Sequence, residues 1–498
     1  AHFVSRIVLK TLDRKETIMK ISIRRTSTVI GALLLVLCLV ALGASSASAQ
    51  GQPGTDAPGV WGSAINLQNT GTGDAHIVIN FFDSNGTEIT GAQYTPEPLA
   101  PGGALSIYVP ALITGLDSGQ YSAVVSSDEP VLASVNTAST NSNSAPWTAF
   151  AYDGFDSSQT GESLYFPGNY NNYYFFYSEL AIQNTSTTTT ANVKAKFLKA
   201  DGTLIAEKSL GTLNPNAAKT YPMSDIAGLP SGNAAGLFGA VVTSDEAVPL
   251  VGVANIWRTN PTNMTASYSG FTGGSTVLYP PALYNNYWGF ASALTVQNVS
   301  DVTSNGTITY SNGTTDSFSL VPGAAKEFYQ PNNAGLPSGN TAGVFAAKVE
   351  ATTGNVVGLV SLSLAFGSGG DFASYNVPSE AAAEVNISNI NSDFYGYFTA
   401  VTVQNTGTTP TDITLTYPGG LGSRTFTNVL GGAAVNIAHL NNAGDILPNK
   451  TSTSGVVSSS NGNPLVAVMQ HNTASNVAGY DPAKKPSDFL LAVTGVPK

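Results

Sequence analysis

Cysteine is nearly absent from this sequence. Its single copy among 498 residues, Cys38, sits in an apolar run from Val29 to Ala44. Leu37 precedes it where lipid attachment needs a small residue, so Cys38 reads as one more apolar residue of that run. Disulfides and thiol chemistry are excluded for everything downstream, and folding must rest on apolar cores and hydrogen-bonded ladders. Positive charge is scarce too. No Lys or Arg occurs between Gln50 and Gly168. Of the 20 basic and 31 acidic residues, seven and two precede Gln50, leaving 13 against 29 and a formal charge of −16. Such a surface does not track a nucleic-acid backbone or bind an anionic membrane by charge, so neither is an expected partner.

Enzyme constellations are missing as well. After Gln50 there are three histidines, His76, His439 and His471, with no H-x-x-x-H or H-E-x-x-H spacing, and there is no G-x-S-x-G elbow. His471, at the end of "LVAVMQH", reads as a strand-end or turn residue. The carboxylates of "SDEP" (127–130) and "SDEAVP" (244–249) read as solvated hairpin tips, because the later copies carry "TTGN" and "SNGN" there. "DSNG" (83–86) lacks the remaining ligands of a calcium loop. The expectation is a non-enzyme with no catalytic residue, metal or cofactor.

The N-terminal region is an address. From Met19 come Lys20, Arg24 and Arg25, the apolar run, and Ala47-Ser48-Ala49 before Gln50. That is a secretory signal peptide with an A-x-A cleavage site, too short to favour a retained membrane helix. Residues 1–18 read as upstream mistranslation, 19–49 as the signal. The expected location is secreted, extracellular or on the cell surface, with no membrane insertion after cleavage. "LPNKT" (447–451) is internal, lacks Gly and has no apolar tail, which argues against covalent wall anchoring.

What the chain has in abundance is internal repetition. "SAINLQNTG" (63–71), "SELAIQNTS" (178–186), "SALTVQNVS" (292–300) and "TAVTVQNTG" (399–407) mark four copies. A second anchor, "AFAYDGF", "TASYSGF", "FASYNVP" and "NVAGYDP", places Tyr152, Tyr268, Tyr375 and Tyr480 near the end of each. Within a copy, runs such as "AHIVINFF" and "ITLTY" alternate or are wholly apolar, and Asp/Asn-Gly turns separate them. The predicted fold is all-β: four tandem antiparallel Ig-like β-sandwich domains after the signal peptide, spanning 50–168, 169–281, 282–388 and 389–498. Short linkers would make the array semi-rigid, each repeat burying its own core.

The stretch "LTVQNTGTTPTDITLTY" (401–417) resembles the V-x-N-x-G strand–turn–strand of CARDB- and DUF11-like Ig repeats of bacterial cell-surface proteins. The resemblance implies an exported structural role and carries over no functional residue.

Two features offer surfaces. Aromatic clusters open the later copies and supply Tyr170, Tyr173, Tyr174, Tyr284, Tyr287, Trp288, Tyr395 and Tyr397. Such rings either fill joints between consecutive domains or stack on sugars, with Asn beside them to hydrogen-bond. The joint is favoured, since the cluster shrinks to "PGVWGSA" where no neighbour precedes. The second feature is "SDFLLAVTG" (487–495), whose Phe489, Leu490, Leu491 and Val493 look like the first strand of a repeat that never comes. Similar runs, "SLYFP", "TVLYPP" and "AEVNIS", precede the later copies. If each closes the domain before it, four complete sandwiches result, which is the preferred count because sequential strands usually pair locally. If each opens the domain after it, the C-terminal strand is free to be donated to another molecule, and the chain is a head-to-tail polymer. The expected function is thus a secreted structural or adhesive repeat protein, with polymerisation through its C-terminal strand as a live option. The alternatives are a cell-surface polysaccharide-binding adhesin and an accessory module for a separate hydrolase. Its partner would be itself, head to tail, or cell-surface polysaccharide.

Overall fold

The computed structural model describes residues 3–11, 60–140, 148–258, 264–341, 343–364, 370–394, 397–439, 446–473 and 490–498. Strand dominates them, as the period-two patterning predicts. The first copy holds β1 (Phe3–Thr11), β2 (Val60–Asn69), β3 (Ile77–Phe82), β4 (Ala104–Tyr108), β5 (Gly119–Ser127), β6 (Val131–Thr140) and β7 (Ala149–Asp153). Next come β8 (Ser163–Asn169), β9 (Asn171–Tyr173), β10 (Phe176–Asn184), β11 (Ala191–Leu198), β12 (Leu204–Leu213), β13 (Ala218–Pro222), β14 (Phe238–Ser244), β15 (Leu250–Arg258) and β16 (Met264–Ser269). The third copy contributes β17 (Val277–Leu278), β18 (Asn285–Tyr287), β19 (Phe290–Asn298), β20 (Ser304–Tyr310), β21 (Thr315–Leu320), β22 (Ala325–Tyr329), β23 (Ala347–Ala351), β24 (Val356–Leu364) and β25 (Phe372–Asn376). The fourth has β26 (Glu384–Ser392), β27 (Tyr397–Asn405), β28 (Thr411–Thr416), β29 (Ser423–Val429), β30 (Ala434–Ala438), β31 (Thr451–Ser459), β32 (Leu465–Thr473), β33 (Leu491–Thr494) and β34 (Val496–Pro497).

These strands form antiparallel sheets, two to each copy. In the second copy the orders are β13-β10-β15-β16 and β12-β11-β14-β8. Leu180 and Ile182 of one sheet meet Val193 and Phe197 of the other in a common core, a sandwich-like arrangement. The Asn of each Gln-Asn pair locks the start of the next strand: Asn184 donates to Thr189 O and Leu213 O, Asn298 to Val302 O and Leu320 O, and Asn405 to Thr409 O and Val429 O. That buried, fully engaged amide explains the recurrence of the motif.

The runs between copies pair forward. β8 lies on β14, β17 on β23 and β26 on β31, each in the sheet of the copy that follows. The preferred count, in which each run closes the copy before it, is therefore corrected, and hydrogen bonding carries these strands across the expected boundaries at 168, 281 and 388. The reason is visible in the register: Leu164 and Phe166 of β8 fill the second core, and Val385 and Ile387 of β26 fill the fourth. Residues 3–11, read as mistranslation, form β1 and take the corresponding place on β5.

The C-terminal strand is not spare either. β33 pairs with β32 as β7 pairs with β6, β16 with β15 and β25 with β24. Val493 stands opposite Met469 as Tyr375 stands opposite Val360, so "LAVT" takes the closing-strand place in the fourth copy. Tyr480 and Phe489 lie outside the described residues.

The copies also close on themselves. β7 packs against β16, β16 against β25, β25 against β33, and β33 against β7. Each core borrows from the next copy: Val251 and Val253 enter the first, Leu359 and Phe372 the second, and Val468, Leu490 and Ala492 the third. The fourth core takes in Ala149 and Ala151 of the first copy, which completes a ring. Each core was expected to be self-sufficient in an open array, but an outward face of Val and Leu on the sheet of every next copy has to be covered.

Candidate functional site

Two hairpins project aromatic rings from this ring-shaped body. The first joins β9 to β10 through Tyr174 and Phe175; the second joins β18 to β19 through Trp288 and Gly289. All four tip residues have positive φ, 47° and 66° in the first and 49° and 83° in the second. That is the backbone of a two-residue hairpin turn that normally selects Asn-Gly or Gly-Gly. Gly289 meets the demand at no steric cost, whereas Tyr174, Phe175 and Trp288 do not.

A second loop holds each tip. Asn233 Oδ1 accepts from the Tyr174 N–H at 2.8 Å, and Asn340 Oδ1 accepts from the Trp288 N–H at 2.8 Å. Gly232 N and Gly339 N donate to Asn171 O and Asn285 O, tying the same loops to the hairpin stems. These asparagines belong to "LPSGNAAG" (229–236) and "LPSGNTAG" (336–343). They recur at corresponding places in the second and third copies, and the sequence alone assigned them no role. The available signal was that they occur only in the copies that carry "YNNY".

Each tip ends a ladder of rings. Tyr170 stacks on Tyr173 with centroids 6.2 Å apart, and Tyr173 meets Tyr174 edge-on at 4.8 Å. Tyr284, Tyr287 and Trp288 repeat the pattern at 6.1 and 6.4 Å. The inner members are joint residues. Tyr170 is buried beside Ser361 of the next copy; Tyr284 is buried and donates to Gln470 Oε1 of the copy after it. Burial drives both phenols well up from their ordinary range. The outer members face solvent, Tyr174 at 54% and Trp288 at 67% exposure.

The expected aromatic set is thus split between two roles. Tyr397 is a buried member of the fourth core, and Tyr395 lies outside the described residues. Among the expected donated residues, Leu491 and Val493 fill the fourth core and Leu490 the third, so the structure uses that strand within its own chain. Phe175 is the residue missed: it shares the first tip with Tyr174 and is 45% exposed.

Charged groups sit at the seams rather than at the tips. Glu327 faces Tyr170 and Tyr173, and burial pushes its carboxyl up to about 7. Asp153 at the closing seam is likewise pushed up to about 7 by burial, partly offset by the Thr494 N–H. His471, expected at a strand end, is buried within β32 and accepts or donates at Thr399 Oγ1, 2.8 Å away. Burial and His439 push it down to about 4. Among the described residues no group of three His, Cys, Asp or Glu is placed to hold a metal ion, and no helix is long and apolar enough to cross a membrane.

No family model and no curated protein matches this chain. Among solved structures, the crystal structure of Thermotoga maritima 1070 is similar at 18% identity, with a TM-score of 0.19, covering 22% of this chain and 92% of that one. At that score the likeness carries no argument.

Proposed function

We propose that this is an exported, non-enzymatic adhesive protein of four Ig-like sandwiches of CARDB/DUF11 type. Its aromatic hairpin tips bind polysaccharide of a cell surface or extracellular matrix. The observation that carries the reading is the exposure of Trp288 and Tyr174 on backbones that resist such side chains. A left-handed non-glycine residue costs of order 1–2 kcal/mol, and the Asn233 and Asn340 acceptors hold that geometry in place. Rings kept exposed at such a cost suit a ligand with C–H faces, and the neighbouring amides offer the donors and acceptors that sugar hydroxyls need.

The ring adds multivalency. The two tips occupy corresponding places in the second and third copies. Weak single contacts then combine on a polymeric ligand. The test is intrinsic fluorescence and pull-down of the exported protein with insoluble and soluble polysaccharides. Quenching by one class, lost in Trp288→Ala, is the expected result. Unchanged fluorescence across the panel would remove the reading.

A further inference from the structure

We propose that the exported protein leaves the outer edge of β5 open as an acceptor for an extended strand. The donor is a separate polypeptide that presents apolar residues at alternate positions. The inference rests on the export reading but not on the aromatic tips.

Three of the four copies fill this edge in cis. β8, β17 and β26 lie antiparallel on β14, β23 and β31. On β5 the same place is taken by β1, in an unbroken register from Phe3↔Ser127 to Thr11↔Gly119. β1 lies upstream of the signal segment, so cleavage after Ala49 removes it. The segment left between that cut and β2 is "QGQPGTDAPG", with two prolines and three glycines and no apolar alternation. Proline cannot donate to a ladder, and glycine packs nothing into a core. The mature first copy therefore keeps β5, whose Ala123 and Val125 are fully buried in the intact chain, without the strand that pairs with its edge.

The register also shows what the edge is shaped for. Leu164 stands opposite Val242, Leu278 opposite Val349, and Val385 opposite Val457. Opposite Val125, the equivalent residue, β1 places Ser5. A strand with an aliphatic residue at that register position matches the pattern of the other three copies, which β1 does not. A second copy of this chain is a poor donor, since β8, β17, β26 and β33 are each already paired within their own chain. An unpaired sheet edge of this kind recruits a strand through backbone hydrogen bonds, with alternate side chains setting specificity.

The experiment takes the protein from a secreting host and sequences its N-terminus. It then titrates fluorescein-labelled peptides: residues 3–11, its Ser5→Leu form, and a scrambled control. Amide exchange across residues 119–127 is followed in parallel. The expected result is an N-terminus at Gln50, 1:1 binding, and roughly tenfold tighter binding of the Ser5→Leu peptide from the added apolar burial. Fast exchange in β5 should slow when peptide is added. Four results would overturn the proposal: retention of residues 3–11, no peptide binding, β5 amides already as protected as those of β14, or self-assembly that occupies the edge. A Trp288→Ala protein should take the peptide unchanged, so loss of polysaccharide binding and loss of strand binding are read separately.

Discussion

The backbone N–H of Thr494 donates to Asp153 Oδ2 at 3.4 Å, joining the last closing strand to the first. Asn376 occupies the position equivalent to Asp153, and its amide makes a two-way contact with the neighbouring copy, donating to Ser269 O at 2.7 Å and accepting from Ser269 N at 3.2 Å. Asp153 can copy that pattern only when protonated, which accords with a carboxyl held up to about 7. A carboxyl raised in the fold stabilises it fully below the ordinary pKa near 4, and that contribution is lost as pH rises through about 7. Asp153→Asn should therefore raise the melting temperature by a few degrees at pH 8 and change little at pH 4. Melting curves at both values check it; an equal shift at both would contradict it.

His471 works in the opposite direction. It is buried neutral among Thr399, Asn391 and His439, and held down to about 4. The unfolded chain binds a proton near pH 6.5 and the folded one does not, so stability is lost as pH falls from about 6.5 toward 4. Between pH 4 and 6.5 the two groups oppose each other. Asp153→Asn should unmask acid sensitivity that the native protein conceals, seen as a steeper loss of melting temperature below pH 6.

Much of this fold was legible in the sequence, and the parts that were not have physical causes. The Gln-Asn anchors identified four copies because Asn184, Asn298 and Asn405 do the same backbone work each time. In the fourth copy Val493 holds the register position that tyrosine holds in the third, so the tyrosine anchor that marks the closing strand elsewhere does not point to it. Ring closure left no local trace: Val253, Leu359 and Val468 alternate like ordinary inward residues, and which core they enter depends on contacts far along the chain. The tips were half legible. "YNNY" flagged the rings, but only the Asn233 and Asn340 hydrogen bonds separate joint members from exposed ones.

Those hydrogen bonds give a third prediction. Asn340→Ala leaves Trp288 in place but removes the acceptor of its N–H. Polysaccharide binding should weaken about as much as in Trp288→Ala, while the melting temperature moves by no more than a few degrees. Binding unchanged in Asn340→Ala would show that the tip geometry is immaterial.

The closing strand gives a fourth. Leu491 is buried in the fourth core, so Leu491→Ala should cost about 2–5 kcal/mol. Removing Ser487–Lys498 strips Leu490 from the third core as well. Exchange or limited proteolysis should then show the third and fourth copies loosening together. Loss confined to the fourth copy would contradict the shared cores.

The most direct measurement of the account is small-angle X-ray scattering of the protein in dilute solution. A closed ring of the four copies, joined through Asp153 and Thr494, predicts a compact particle with a radius of gyration of roughly 22–25 Å for a chain of this length. An elongated profile with a radius about twice that would mean that the first and last copies stand apart, and would contradict the ring.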